Sequence, residues 1–163
     1  KFIQQAEAIP HLQRLRIHTR LPVVIPQRIT SKLINILHSC RFSCAIVLHI
    51  NHSHELDPLL IRGLDLLRRA GIILLNQAVL LRDINDDVET QITLSKTLFS
   101  AGVLPYYLHL LDKVAGAHHF NVSEKDALAL HQQLLLKLSG YLVPKLVKEE
   151  SGKGSKTPLV LVS

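Results

Sequence analysis

The sequence contains no methionine and no tryptophan, and aromatic residues make up only 4% of its 163 residues. A groove that stacks nucleic-acid bases needs aromatic side chains, so the net charge of +6 is weak support for nucleic-acid binding. The lysines and arginines are scattered, which suits a phosphate-bearing small molecule better. From the missing initiator methionine we expect a fragment or a processed product.

Long hydrophobic runs are also missing, since none reaches the roughly 18 residues that a membrane span needs. The segments 72–75 and 79–81 come nearest, but Asn76 and Gln77 separate them. The first residues lack the apolar core of a signal peptide. Hydrophobic residues nevertheless make up 47% of the chain, enough for one domain to bury a core. We therefore expect a cytoplasmic protein with no membrane partner.

Only two cysteines are present, Cys40 and Cys44, which is typical of a reducing compartment rather than a disulfide framework. A Cys-x3-Cys-x2-Cys iron–sulfur motif would need a third cysteine where Val47 stands, so this pair does not complete one. Cys44 opens the apolar run 44–48, and we expect it to be a buried structural thiol.

Strand and helix patterns alternate along the chain in units of about 30 residues, which indicates a parallel sheet covered by helices. The segment 22–26 between the first strand and the first helix is predicted to be a loop or extended. Thr30, residues 85–87 and Ser123 are predicted to cap helices. The predicted strands are 15–19, 44–50, 72–81, 104–110 and 141–143, and the predicted helices are 31–39, 55–70, 88–101 and 124–139.

Polar residues follow the apolar runs, where α/β folds of this kind carry their chemistry. His49 is consistent with a ligand site or with a satisfied core histidine. Asn76 and Gln77 would need hydrogen-bond partners if buried, and a ligand can supply them. Asp112 follows the fourth strand and suits either a turn cap or an ammonium-binding acid. We expect these side chains, together with the loop 149–156, to converge on a ligand site.

A lysine on the glycine-containing loop near the end of the chain is a candidate anchor for an aldehyde cofactor, because an amine can form a Schiff base. The structural alternative is a solvated tail whose lysines aid solubility. A zinc site at His49, His52 and His54 has suitable spacing, but strand alternation turns the side chains apart and no carboxylate or cysteine completes the set. We expect His52 and His54 to cap the next helix.

Five segments resemble the lysine 2,3-aminomutase family, in the family's order and over nearly the whole chain. They are 16–30 (RIHTRLPVVIPQRIT), 48–52 (LHINH), 75–86 (LNQAVLLRDIND), 104–112 (LPYYLHLLD), and 140–144 (GYLVP) with 155–158 (SKTP). The short glycine loop and the tail that ends soon after Thr157-Pro158 are similar to the branch that makes (R)-β-lysine for elongation factor P (EF-P).

The resemblance implies a fold and a chemistry. The fold would be the C-terminal part of a partial (β/α) radical-SAM-type barrel, with residues 1–163 forming the C-terminal portion of a single domain. The enzyme would use pyridoxal phosphate and S-adenosylmethionine, which a [4Fe–4S] cluster cleaves to a radical. An amino group would then migrate on L-lysine held as an aldimine, and the implied partners are EF-P and its lysyl-transferring ligase.

The resemblance also assigns residues. Lys156 matches the Schiff-base lysine, and its Lys-Thr-Pro context favours it over Lys153. Asp112 matches an acid that binds the substrate's side-chain ammonium, and Glu149 falls where free-lysine enzymes have a second such acid, an aspartate. Gln77 and His49 match strand ends that lie close to S-adenosylmethionine.

The family's Cys-x3-Cys-x2-Cys motif lies upstream of the matched region, so we expect no cluster ligand within residues 1–163. We further expect this chain to be inactive alone, and its open barrel edges to favour association into a homo-oligomer. Two alternatives remain: a non-radical α/β enzyme with a phosphate ligand, and a non-catalytic module for an anionic partner such as transfer RNA or EF-P.

Overall fold

A computed structural model describes residues 2–112, 116–150 and 152–160 of the protein. One six-stranded sheet forms its centre, and the strands follow one another across the sheet in chain order. The first five pair in parallel, and the last pairs antiparallel with the fifth. The strands are β1 (Arg14–Thr19), β2 (Ser43–Leu48), β3 (Ile73–Leu80), β4 (Leu104–Leu110), β5 (Lys145–Lys148) and β6 (Thr157–Pro158).

Six helices connect or precede these strands, and no helix within the described ranges is long and apolar enough to cross a membrane. The described residues also form four short 3-10 turns, at Pro26–Arg28, Ser53–Glu55, His118–Phe120 and Gly140–Leu142. The helices are α1 (Phe2–Glu7), α2 (Leu21–Val24), α3 (Ser31–Ser39), α4 (Pro58–Arg69), α5 (Val88–Ser100) and α6 (Glu124–Lys137).

The helices cover one face of the sheet. Along β3, every second side chain from Leu74 to Leu80 is buried, while those between them are partly exposed. Leu74 and Leu80 belong to the same apolar core as Leu64 and Leu98 of the helices. Burying this face against helices drives the packing, because it removes a large apolar surface from water. The mostly parallel α/β fold class predicted from the sequence is confirmed, and it is consistent with part of a radical-SAM-type barrel.

The predicted helix caps at three positions are confirmed. The side chain of Thr30 accepts from the backbone N–H of Leu33, and that of Asp87 accepts from Thr90. Ser123 accepts from the N–H of Asp126, three residues on. These side chains satisfy backbone donors that have no partner within the helix, which is why the helices begin where they do.

Three predicted boundaries are wrong. In the segment 22–26, residues 22–24 belong to helix α2 and Pro26 begins a 3-10 turn, because Pro22 lies at a helix N-terminus, where its fixed backbone angle is favourable. Helix α4 begins at Pro58 rather than at residue 55, since Asp57 accepts from the N–H groups of Leu59 and Leu60. The fifth strand is 145–148 rather than 141–143. Residues 140–142 form a 3-10 turn that places Leu142 in the core.

The cysteine pair agrees with the prediction of a buried thiol. Cys44 is buried, and its Sγ lies 3.3 Å from that of Cys40 at the end of α3. Burial, followed by the hydrogen bond with Cys40, raises the pKa of Cys44 to about 12. Cys44 is therefore a protonated thiol that packs in the core.

Asn76 receives its hydrogen-bond partners from the protein rather than from a ligand. The side chain is 2% exposed; its Oδ1 accepts from the N–H of Ile50 and its Nδ2 donates to the carbonyl of Ile50, both at 2.9 Å. The side-chain amide of Asn76, in strand β3, thus anchors the backbone segment that follows β2.

Replacing Asn76 with alanine would leave both backbone groups of Ile50 without this partner. We expect the free energy of unfolding to fall by about 2–4 kcal/mol, from two orphaned buried groups. Urea denaturation would measure the change. The exposed Asn35→Ala provides the control and should change stability by less than about 0.5 kcal/mol. Equal stability of the two variants would contradict the proposed role of Asn76.

Candidate active site

The sheet register gathers polar side chains on the face opposite the helices. His18 pairs with Val47 of β2, which in turn pairs with Leu75 of β3. Further along, Gln77 pairs with Tyr107 of β4. Since side chains alternate along a strand, these positions share one face. The same alternation assigns His49, His109 and Glu149 to it, each at or just beyond the carboxyl end of its strand.

Lys156 reaches this face from the segment that leads into β6. Its Nζ donates to Oε1 of Glu149 at 2.6 Å and lies 3.2 Å from Nε2 of His109. The amine also lies 5.5 Å from the centre of the Tyr107 ring. The antiparallel return of β6 along β5 produces this arrangement, because it brings Lys156 beside Glu149, seven residues earlier in the chain. The alternative that Lys156 belongs to a solvated tail therefore does not describe this structure.

His109 is the buried partner in this group, with 7% of its surface exposed. Burial, followed by the positive charge of Lys156, lowers the pKa of His109, while Glu149 and Asp112 act in the opposite direction. The imidazole is therefore neutral at pH 7, and its Nε2 can accept a hydrogen bond from Lys156 when the ring proton is on Nδ1. Sequence reasoning did not select His109, although the alternation of side chains along β4 contained the signal.

Lys156 borders a cavity of about 410 Å³. Three cations and two carboxylates line it, which leaves an excess of one positive charge that suits a phosphate group. Lys153, the competing lysine, lines it too, but its Nζ pairs with Glu150 at 2.5 Å. The lining side chains are Arg16, His18, Tyr107, Glu149, Glu150, Lys153, Ser155 and Lys156.

His49 and Gln77 each carry a buried polar atom on this face. Within the part of the chain that the structure describes, Nε2 of His49 and Oε1 of Gln77 have no hydrogen-bond partner. Burial, followed by the charges of His18 and Arg20, lowers the pKa of His49. Buried polar groups are rarely left unpaired, so these two atoms mark a place where a ligand can donate or accept.

Asp112 lies apart from the lysine. It follows β4 and lines a second cavity of about 660 Å³, together with Ser123 and Lys148. Glu149 and Glu150 line both cavities. The structure therefore brings His49, Gln77, Glu149 and Lys156 to one face, and connects Asp112 to them through the loop after β5.

His54 lies in the 3-10 turn Ser53–Glu55 before α4, and His52 caps that turn. Nδ1 of His52 accepts from the N–H of His54, and Glu55 accepts from the N–H groups of Asn51 and His52. These contacts cap a turn, and Asp57 rather than either histidine caps α4. Among residues 2–112, 116–150 and 152–160, no group of three His, Cys, Asp or Glu side chains is arranged to hold a metal ion.

Comparison with known proteins identifies the relatives of this chain. It is 54% identical over 160 residues to L-lysine 2,3-aminomutase of Escherichia coli K12, and 51% identical over 156 residues to that of Haemophilus influenzae. These alignments cover 98% and 96% of this chain. The chain is homologous to the lysine 2,3-aminomutase family. The predicted family is thereby confirmed, although no protein-family profile matches the chain.

The chain spans about half the length of these relatives, 47% of the first and 46% of the second. The matches fit a C-terminal part of a lysine 2,3-aminomutase, as the resemblance implied. A glutamate 2,3-aminomutase of Clostridioides difficile is also similar, at 35% identity over 159 residues. These relatives are all aminomutases, which are isomerases, and their names differ in the amino acid on which they act.

Proposed function

We propose that the full-length protein is a lysine 2,3-aminomutase, which moves an amino group between the second and third carbons of lysine. The contact of the Lys156 amine with Glu149 and His109 supports this proposal most directly. This contact places a nucleophilic amine beside polar side chains at the carboxyl ends of the strands. The chain is also 54% and 51% identical to two enzymes of that name.

The residues around Lys156 fit pyridoxal phosphate. The Lys156 amine would bond to the cofactor's aldehyde carbon, while Arg16 and Lys153 at the same cavity would hold its phosphate. Tyr107 would lie against the cofactor ring, since its own ring borders the cavity. When bound, the cofactor supplies an electron-withdrawing ring joined to the substrate's amino group. The protein's own share is to position the amine, neutralise the phosphate and exclude water.

Gln77 and His49 fit a second ligand, for which we propose S-adenosylmethionine. Their unpartnered atoms suit the hydroxyl and amine groups of a nucleoside. For a [4Fe–4S] cluster the described residues offer no set of ligands, and we propose that its ligands lie outside this chain. Residues 1–163 would accordingly form the C-terminal portion of one domain.

The acidic residues favour lysine over glutamate as the substrate. Asp112 and Glu149 line adjoining parts of the site, and carboxylates there attract a side-chain ammonium and repel a side-chain carboxylate. The short loop Gly152–Gly154 supports the EF-P branch of the family, by its resemblance. We propose that the product (R)-β-lysine serves the modification of EF-P.

Borohydride reduction of the full-length protein loaded with pyridoxal phosphate tests the anchor. We expect a stable cofactor adduct on the peptide that contains Lys156, detected by mass spectrometry. Lys156→Ala should abolish this adduct, because the only amine in contact with Glu149 and His109 in the described structure is then missing. Lys153→Ala is the matched control: it removes one proposed phosphate contact but leaves the Lys156 amine, so at saturating pyridoxal phosphate the adduct should persist. Labelling that survives Lys156→Ala would reject Lys156 as the anchor.

A further inference from the structure

Glu149 lies at the boundary between the two cavities of the site. It lines the cavity that contains Lys156 and also the cavity that contains Asp112. It follows β5 directly, and about half of its side chain is exposed. The carboxylate of Glu149 is thus within reach of a ligand in either cavity.

In the structure, the carboxylate of Glu149 forms an ion pair with Lys156. Oε1 of Glu149 accepts from Nζ of Lys156 at 2.6 Å, and Nδ1 of His109 lies 4.0 Å from the same oxygen. The hydrogen bond with Lys156, followed by its charge, lowers the pKa of Glu149. Glu149 is therefore ionised at neutral pH, and it acts as the counter-ion of Lys156.

Other acids of the Asp112 cavity are engaged elsewhere. Glu124 accepts from Lys148 at 2.8 Å. Glu150 accepts from Lys153 and from the hydroxyl of Thr157, both at 2.5 Å. Among the described contacts, Glu149 is the acid that joins this cavity to the amine of Lys156.

We propose that Glu149 is a shared carboxylate, which neutralises Lys156 until pyridoxal phosphate is attached and then accepts the ammonium group of the substrate. This inference rests on the proposed function, because it takes Lys156 as the cofactor anchor. Cofactor attachment and binding of an amine in the Asp112 cavity would then be coupled.

Cofactor attachment and amine binding would be coupled because attachment removes hydrogens that the Lys156 nitrogen can donate to Glu149. When the amine bonds to an aldehyde carbon, a C=N bond forms and the aldehyde oxygen leaves as water with two of the three ammonium hydrogens. The nitrogen then keeps at most one hydrogen, so the short contact with Glu149 weakens. A carboxylate left without its partner binds a new ammonium more strongly, and by linkage that ammonium favours cofactor attachment by the same factor.

The test measures pyridoxal phosphate affinity of the full-length protein at pH 7 by absorbance, with and without saturating 6-aminohexanoate as the amine probe. In the wild-type protein the probe should tighten cofactor binding by about fivefold or more. In Glu149→Gln the probe should have no effect. Cofactor binding without the probe should also be about tenfold tighter in this variant, because Lys156 then gives up a hydrogen bond to a neutral amide instead of a charge-assisted one to a carboxylate.

Glu150→Gln is the matched control, since Glu150 lines both cavities but contacts Lys153, and it should retain the coupling. A wild-type protein without coupling, a Glu149→Gln variant that retains it, or a probe that does not bind would each overturn the inference. Borohydride labelling of Lys156 in the same samples separates the two proposals. Labelled Lys156 without coupling rejects only the shared carboxylate, whereas unlabelled Lys156 rejects the anchor and the inference with it.

Discussion

Replacing Lys156 with arginine is expected to lower turnover of lysine by the full-length protein by at least about 1,000-fold, as for loss of other covalent nucleophiles. A guanidinium keeps the positive charge and can still donate to Glu149 and His109, so the local ion pair survives. It does not lose a proton under ordinary conditions, however, and therefore cannot bond to an aldehyde. Conversion of lysine to β-lysine, followed by chromatography, would measure the loss.

Lys153→Arg is the matched control for this substitution. Lys153 is more exposed than Lys156, and its Nζ already pairs with Glu150, so arginine can replace both its charge and its contact. We expect activity within a few-fold of wild type. If Lys156→Arg kept more than a tenth of the activity, the covalent role of Lys156 would have to be abandoned.

The central strands and helices of the fold were predictable from sequence because their signals are local. The apolar run that forms β2 and the caps at Thr30 and Asp87 are contained within a few residues. The fifth strand was misplaced because only Leu146 and Val147 of its four residues are buried. So short a strand has no periodicity of its own, and it is defined by pairing with β4 on one side and β6 on the other.

The site was predictable in part, since a general rule locates chemistry at the carboxyl ends of parallel strands. That rule selected Asn76 and Gln77 together, although adjacent strand residues point to opposite faces. Asn76 accordingly binds the backbone of Ile50 on the helix side, and only Gln77 faces the site. The contact between Glu149 and Lys156 depends on the antiparallel return of β6, which no local pattern in the sequence indicates.

The buried side-chain amide of Asn85 holds the end of β3 and the loop after β2 together. Asn85 is fully buried, and its Oδ1 accepts from the N–H of Leu81 at 2.7 Å. Its Nδ2 donates to the carbonyls of Asn51 and Val79 at 2.8 and 2.9 Å. Asn51 in turn accepts from the N–H of Val79. The residue predicted only to help cap α5 therefore ties the loop after His49 to the end of β3, which carries Gln77.

Asn85→Ala is therefore expected to lower the free energy of unfolding by about 3–6 kcal/mol, because three backbone groups lose their partner in a buried place. Urea denaturation of the full-length protein would give the value, and Asn121→Ala, at an exposed position, should change it by less than about 0.5 kcal/mol. Asn85→Asp should be at least as damaging as alanine. A carboxylate keeps the acceptor for Leu81 but turns an oxygen toward two carbonyls. An aspartate variant as stable as wild type would show that the two donated hydrogen bonds do not hold the strand ends together.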